Sequence, residues 1–565
     1  MNEIVQKMHE SAAQLTNAEA PWAVDNTTID GVDYKHYPNA PKTLAELLDH
    51  GRNHDENAEF LIYEDERISF GEFFTRADAL ASQLQTELNI QKGDRVAIAM
   101  RNYPEWMVAF AASIYAGGVP VPLNSWGQAT ELKYGLTDSG STIAFVDQQR
   151  FDYIKDDLKA LNVQAIVARP TDAIQSPSLD INTLVEAGRG HTATTPDTDG
   201  EDVGMIMYTS GTTGNPKGAV STHRAVCQSI FNFELAANVA AMSDFEPIGK
   251  MLERGFPPKV LLAVPLFHVS GCHSVFFLSL RGGRPIVMMY KWNKLDALKL
   301  IQEERITMIS AVPTMLVDLL EAPEWNDFDT TSMFGFGAGG AAQPPGLSDK
   351  IYAKLPDSFP GTGYGMTETN ASGFAMSGAA YKANPRSTGI ITPIVEIQIL
   401  NDDGSEVKQG EHGEIRLKTP TAVSGYWGKE EASKEAFVNG WVVTGDIGYQ
   451  DEDGFLYITD RIKDMVIRGG ENIASLEVES AALTHNNVQE CAVFGLAHDK
   501  LGEEVAISLV LKDGTELSEA DLQAHMATQL AKFKVPSKVF FESEPLPRNA
   551  TLKVLKKPLK EKHSE

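Results

Sequence analysis

The sequence encodes a mixed α/β protein with a large N-terminal part and a smaller α+β tail, and three patterns carry that reading. Residues 95–100 have the composition of a buried strand, 104–116 of a helix, Gly117-Gly118 of a break and 119–123 of a second strand; 259–265, 270–280, Gly282-Gly283 and 285–289 repeat the order. Strand, helix, double glycine, strand fits a right-handed βαβ unit, so roughly the first 380 residues form two related α/β lobes. From about Ser387 the apolar residues alternate in short runs, at 391–400, 413–418, 441–444 and 455–459, separated by Asp/Asn/Gly turns, which predicts a small antiparallel β region. After Asp460-Arg461 come strands at 465–468, 489–495 and 504–511 and helices at 476–484 and 518–531, an α+β arrangement ending in a lysine-rich segment. The expected division is an N-terminal region 1–461, with the β region at about 387–460, and a C-terminal region 462–565. No low-complexity linker separates them, so relative motion would occur at a tight hinge. Residues 1–40, including Ala20-Pro21-Trp22, carry no pattern that assigns them a role.

Composition narrows the function. A net charge of −28 repels phosphate backbones and anionic headgroups, so neither nucleic acid nor a membrane surface is an expected general partner. Cys227, Cys272 and Cys491 are scattered, without metal or disulfide spacing, and fit a reducing cytoplasm. Residues 1–19 lack the basic and apolar runs of a signal peptide, no apolar run is long enough to span a bilayer, and the C-terminal His-Ser-Glu is not a peroxisomal address. The expected location is cytoplasmic.

The most informative segment is 208–218, Tyr-Thr-Ser-Gly-Thr-Thr-Gly-Asn-Pro-Lys-Gly, between a strand at 203–208 and a helix at 223–238. Glycines let backbone N–H groups approach an anion, hydroxyls add donors and Lys217 adds charge, the chemistry of a phosphate loop. It is not a Walker A loop, because Pro216 precedes and Gly218 follows the lysine where that motif has glycine and a hydroxyl residue. The run resembles the nucleotide-phosphate loop of the adenylate-forming superfamily of acyl-CoA synthetases, nonribosomal peptide adenylation domains and beetle luciferases. Five further segments resemble that superfamily in order and spacing, and the likeness spans roughly residues 45–560.

What the resemblance implies is specific. Thr209, Ser210, Gly211, Thr212, Thr213, Gly214 and Lys217 would hold the phosphates. Gly339, Gly340 and Ala341, within Phe336-Gly337-Ala338-Gly339-Gly340-Ala341, would let adenine lie against the backbone. In Tyr364-Gly365-Met366-Thr367-Glu368, Tyr364 would stack near adenine with Gly365 and Met366 beside it, Thr367 would contact the α-phosphate, and Glu368 would hold Mg²⁺, a cation suited to hard oxygen donors. Asp446, in Thr444-Gly445-Asp446, would accept from the ribose hydroxyls, with Arg461 donating nearby. Lys463 resembles the family's hinge residue, and Gly469-Gly470 would line the CoA channel after rotation of the C-terminal region. Lys553, in Pro547-Arg548-Asn549-Ala550-Thr551-Leu552-Lys553, would bridge carboxylate and phosphate oxygens, although the residue before that lysine is usually glycine and here is Leu552.

The acid would bind near Pro265-Leu266-Phe267-His268-Val269-Ser270-Gly271, where His268 could gate the pocket, and Gly271, Val312, Met315 and Met376 are compatible with an apolar channel. His268, Cys272 and His273 match no zinc spacing. No acidic residue in these segments is placed to capture an amino-acid ammonium. The expected activity is ATP-dependent carboxylate–CoA ligation through an acyl-AMP, on a medium- or long-chain fatty acid, with Mg²⁺ as cofactor and ATP and CoA as cosubstrates; an oligomer is compatible with the sequence. An aryl acid, or a carrier-protein thiol as acceptor, are alternatives within the superfamily. A P-loop-like ATPase or a non-catalytic nucleotide-binding protein is the alternative from another class.

Overall fold

A computed structural model describes residues 3–209, 215–549 and 552–564. The duplicated pattern is realised as two separate sheets. Arg95–Ala99 lies between its parallel partners Val119–Pro122 and Ile143–Asp147 in a five-stranded sheet. Val260–Leu262 lies between Ile286–Met288 and Met308–Ala311 in a nine-stranded sheet, so both lobes place the second strand on one side of the first and the third on the other. These strands are buried on both faces, which is why they read as continuous apolar runs. The intervening helix Pro104–Tyr115 has every residue buried and packs between the lobes with Phe73, Phe276 and Phe277 in one core. Its companion in the second lobe is interrupted by a π-helical turn, Cys272–Phe277, that the apolar spacing at 270–280 did not disclose. Such turns concentrate at functional sites.

The expected antiparallel region is present, with Glu396–Leu400, Gly413–Lys418, Trp441–Gln450 and Leu456–Arg461 paired in sequence. Beyond it, Val466–Arg468, Glu471–Ile473, Val488–His498, Gly502–Leu511 and Lys538–Phe541 form a five-stranded sheet covered by Ser475–Leu483 and Glu519–Ala527.

The first 40 residues are a clasp. Helix Glu3–Leu15 lies on His223–Ser243, with Val5 and Met8 buried beside Leu235, Val239 and Tyr381. Asp25–Ile29 and Val32–His36 form a hairpin whose Asp30-Gly31 turn has both residues at positive φ, as a two-residue loop between right-twisted strands requires. Tyr37 is then buried, donating its N–H to Gln228 Oε1 and accepting Gln228 Nε2 on its carbonyl, each at 2.8 Å, while its hydroxyl donates to Asn232 Oδ1 at 2.8 Å. Among the described residues, no helix is long and apolar enough to cross a membrane.

Candidate active site

Parallel strands deliver their carboxyl ends to one place. In open α/β sheets ligands bind beyond those ends, and here the loops that leave them line a cavity of about 240 Å³. The five-stranded sheet contributes Arg101, Asn102 and Trp126; the nine-stranded sheet contributes Val264, Pro265, His268, Met289 to Trp292, Val312, Met315 and Gly340. Asn102 ties the two sets together, donating to the Val264 carbonyl at 3.0 Å and accepting from the Leu266 N–H at 3.1 Å. Leu552 and Lys553 reach the same cavity from the C-terminal region.

Lys553 is held by its own loop. Asn549 donates its N–H to the Lys553 carbonyl and accepts the Lys553 N–H on Oδ1, each at 2.9 Å, and Arg548, paired with Glu490, donates to the Leu552 carbonyl at 2.7 Å. Leu552 adopts φ +61°, the left-handed conformation that favours glycine, which gives the physical reason for the glycine usual at this position. Burial and the nearby Arg461 charge lower the Lys553 pKa to about 8, against the opposing pull of Asp446.

His268 accepts the Ser270 N–H on Nδ1 at 3.2 Å, so its neutral ring carries hydrogen on Nε2. Burial, with Lys553 adding to it, pushes its pKa down to about 3. It therefore enters any chemistry uncharged.

Asp446 is the best-defined polar anchor. Thr444-Gly445-Asp446 turns with Gly445 at φ +69°, while Thr444 Oγ1 accepts the Asp446 N–H at 3.1 Å. The buried carboxylate accepts the Tyr364 hydroxyl on Oδ2 at 2.6 Å and pairs through Oδ1 with Arg461 Nε at 3.1 Å. Each carboxylate oxygen has two acceptor sites, so capacity remains for a ligand hydroxyl.

Glu368, also buried, accepts the Tyr426 hydroxyl at 2.7 Å, and Lys217 Nζ lies 4.8 Å from the centre of the Tyr426 ring. Thr209 and Lys217 face each other in the antiparallel pair of Val203–Thr209 with Lys217–Thr222. Ser210, Gly211, Thr212, Thr213 and Gly214 lie outside the described residues. Gly339, Gly340 and Ala341 leave the carboxyl end of Gly335–Ala338, with open space where a Cβ on Gly339 would stand and Gly340 at φ +80°. Gly365, Met366 and Thr367 leave the carboxyl end of Phe359–Tyr364 and turn into the short helical segment holding Glu368. No cluster of three or more His, Cys, Asp or Glu able to enclose a metal occurs among the described residues. A lone carboxylate suits Mg²⁺, which usually takes one or two carboxylates and completes its shell with phosphates and water.

Some expected residues are not brought here. Gly469 and Gly470 form the exposed turn between Val466–Arg468 and Glu471–Ile473, at φ +64° and +89°. Met376 belongs to the core under the N-terminal helix, and Gly271 is required by close backbone packing, since a Cβ there would meet the Pro265 carbonyl oxygen. Neither lines the cavity, whereas Val312 and Met315 do.

Several contributors carried no signal of their own. Asn370, at φ +48°, joins the site's parts through buried hydrogen bonds with Ser221, His273 and the Thr421 carbonyl. Tyr426 orients Glu368 from 58 residues away. Arg101 follows the carboxyl end of Arg95–Ala99 by two residues.

Residues 48–427 match the family of AMP-binding enzymes, and residues 477–553 match the AMP-binding enzyme C-terminal domain. The chain is 36% identical to the long-chain-fatty-acid–CoA ligase FadD13 of Mycobacterium tuberculosis over 88% of this chain and 94% of that one. It is 34% identical to the 2-succinylbenzoate–CoA ligase of Bacillus subtilis over 89% and 94% of the two chains. The o-succinylbenzoate coenzyme A synthetase of B. subtilis, solved in complex with ATP and magnesium ion, superposes with a TM-score of 0.72 at 32% identity, covering 91% of this chain and 98% of that one.

Proposed function

The chain belongs to the AMP-binding enzyme family as an AMP-forming acyl-CoA synthetase, and we propose that it activates a compact carboxylic acid, medium-chain or aryl, through the site at the sheets' carboxyl ends. The observation that carries this reading is the meeting of Lys553, His268 and Gly340 around one cavity whose remaining wall is largely apolar and aromatic. At about 240 Å³ it lies below the usual range of roughly 300–1,000 Å³ for small-molecule pockets, which favours a compact acyl group over an extended long chain.

In this reading the acid's carboxylate attacks the α-phosphate of ATP, forming the acyl-phosphate bond as pyrophosphate leaves; the CoA thiol then attacks the acyl carbon and AMP leaves. Lys553 neutralises the charge gathered between carboxylate and phosphate, and the neutral His268 adds a donor without competing for that charge. Asp446 accepts from the ribose, fixed by Tyr364 and Arg461, while Gly339, Gly340 and Ala341 give the base a flat backbone surface beside Gly365 and Met366. Thr367, Thr209 and Lys217 contact phosphate oxygens. Mg²⁺, held by Glu368 in the orientation set by Tyr426, would supply charge neutralisation to the phosphates. We assign residues 1–461 and 462–565 to two domains turning about Lys463, with Gly469 and Gly470 entering the site for thioester formation.

Acid-dependent pyrophosphate release measured over a series from hexanoate to palmitate, with benzoate and cinnamate, tests the size assignment. Highest kcat/KM is expected among the medium-chain and aryl acids. A maximum at palmitate would contradict it.

A further inference from the structure

The acyl cavity carries more positive charge than ligation of a simple acid uses. Its lining includes Arg101, Lys291 and Lys553 and no aspartate or glutamate, in a chain whose net charge is −28. Lys553 is accounted for by the reacting carboxylate. Arg101 is not accounted for.

Arg101 is only 9% exposed, and its Nε and Nη1 have no hydrogen-bond partner. Its backbone N–H is anchored at 3.0 Å on Asp147 Oδ2, but that carboxylate is committed to Arg150, whose Nη1 lies 2.9 and 3.2 Å from its two oxygens. The Arg101 guanidinium lies 3.2 Å from the centre of the Trp126 ring and 5.4 Å from that of Tyr290. Aromatic faces hold the plane of a guanidinium and attract its charge, yet they leave the in-plane N–H groups unsatisfied. A buried cation with two unmade hydrogen bonds is costly unless an anion completes it, and the guanidinium fork matches a carboxylate.

We propose that the acid is a dicarboxylate, with Arg101 binding the carboxylate that does not react while Lys553 serves the one that does. This rests on the ligase reading and specifies its substrate class. The aromatic and aliphatic residues that line the same cavity, Trp292, Met289 and Met315 among them, accommodate the body of the acid. Lys291, near the exposed rim, adds to the attraction.

The experiment compares kcat/KM, by pyrophosphate release, for adipate with hexanoate, suberate with octanoate and terephthalate with toluate, in the wild type, Arg101→Met and Arg101→Lys. The wild type is expected to prefer the diacid in at least one pair. Arg101→Met should collapse that diacid-to-monoacid ratio by roughly 10- to 100-fold, the scale of a charged hydrogen bond, and Arg101→Lys should restore part of it. A wild-type preference for the monoacid in every pair, or an Arg101→Met loss equal for both members, would overturn the proposal and leave Arg101 as a packing residue. Absence of pyrophosphate with every acid overturns instead the ligase reading beneath it.

Discussion

Asp446 and Arg461 stand directly opposite one another in the antiparallel pair of Trp441–Gln450 with Leu456–Arg461, and their side chains meet at 3.1 Å. The strand register, not a flexible surface contact, sets that ion pair, and Tyr364 completes it from the neighbouring sheet. Asp446→Asn keeps the shape but exchanges an acceptor oxygen for a donor and removes the charge opposing Arg461. Loss of a charged hydrogen bond to the ribose, about 1.5–3 kcal/mol, should raise the KM for ATP by roughly tenfold or more, measured as AMP formation against ATP concentration. An unchanged KM would remove Asp446 from the nucleotide site.

Lys553→Ala should lower adenylation by about 10²-fold or more, the scale of removing a transition-state charge stabiliser. Thioester formation from supplied acyl-AMP should survive, because that half-reaction does not use the lysine. Equal losses in both half-reactions would contradict the assignment.

The same residue sets a pH limb. Burial lowers its pKa to about 8, so the ammonium is present below that pH and is lost as pH rises through it. In the free enzyme, kcat/KM for the acid should therefore fall above about pH 8, and the limb should be absent from Lys553→Ala. Bound anionic reactants favour the ammonium, so the limb in kcat should lie higher. Activity rising through pH 8 with no lysine-dependent limb would argue against a catalytic cation here.

Leu552 occupies a position at φ +61° and packs against the core that contains Val312 and Met315 while lining the cavity that Lys553 reaches. Leu552→Gly removes backbone strain of order 1–3 kcal/mol and also the apolar contact, so Tm should change little. The enlarged cavity should raise kcat/KM for acids longer than the wild type prefers by several-fold, in a chain-length series. An unchanged length profile would show that Leu552 does not bound the acyl group.

The fold was legible where chemistry is local. Double glycines, alternating strands and Asp-Gly turns placed the two lobes and the β region, and the Thr-Gly-Asp and Tyr-Gly-Met-Thr-Glu runs named Asp446 and Tyr364, which the structure joins by a hydrogen bond. The N-terminal clasp was not recognised, although Asp30-Gly31 is a strong hairpin signal, because its buried residues are completed by distant partners such as Gln228, Leu235 and Tyr381. Asn370, Tyr426 and Arg101 escaped for a related reason: a buried hydrogen bond or an unpaired charge is a property of three-dimensional neighbours. Leu552 shows the converse. The usual glycine marked a backbone constraint, and only the backbone angle reveals that this chain meets the constraint with leucine.

The most direct test is the identity of the nucleotide product when the protein is incubated with ATP, Mg²⁺, CoA and a carboxylic acid such as adipate or octanoate. AMP and pyrophosphate should form in equal amounts, only when the acid is present, with acyl-CoA as the coupled product. ADP and phosphate, or nucleotide turnover indifferent to the acid, would contradict carboxylate activation at this site.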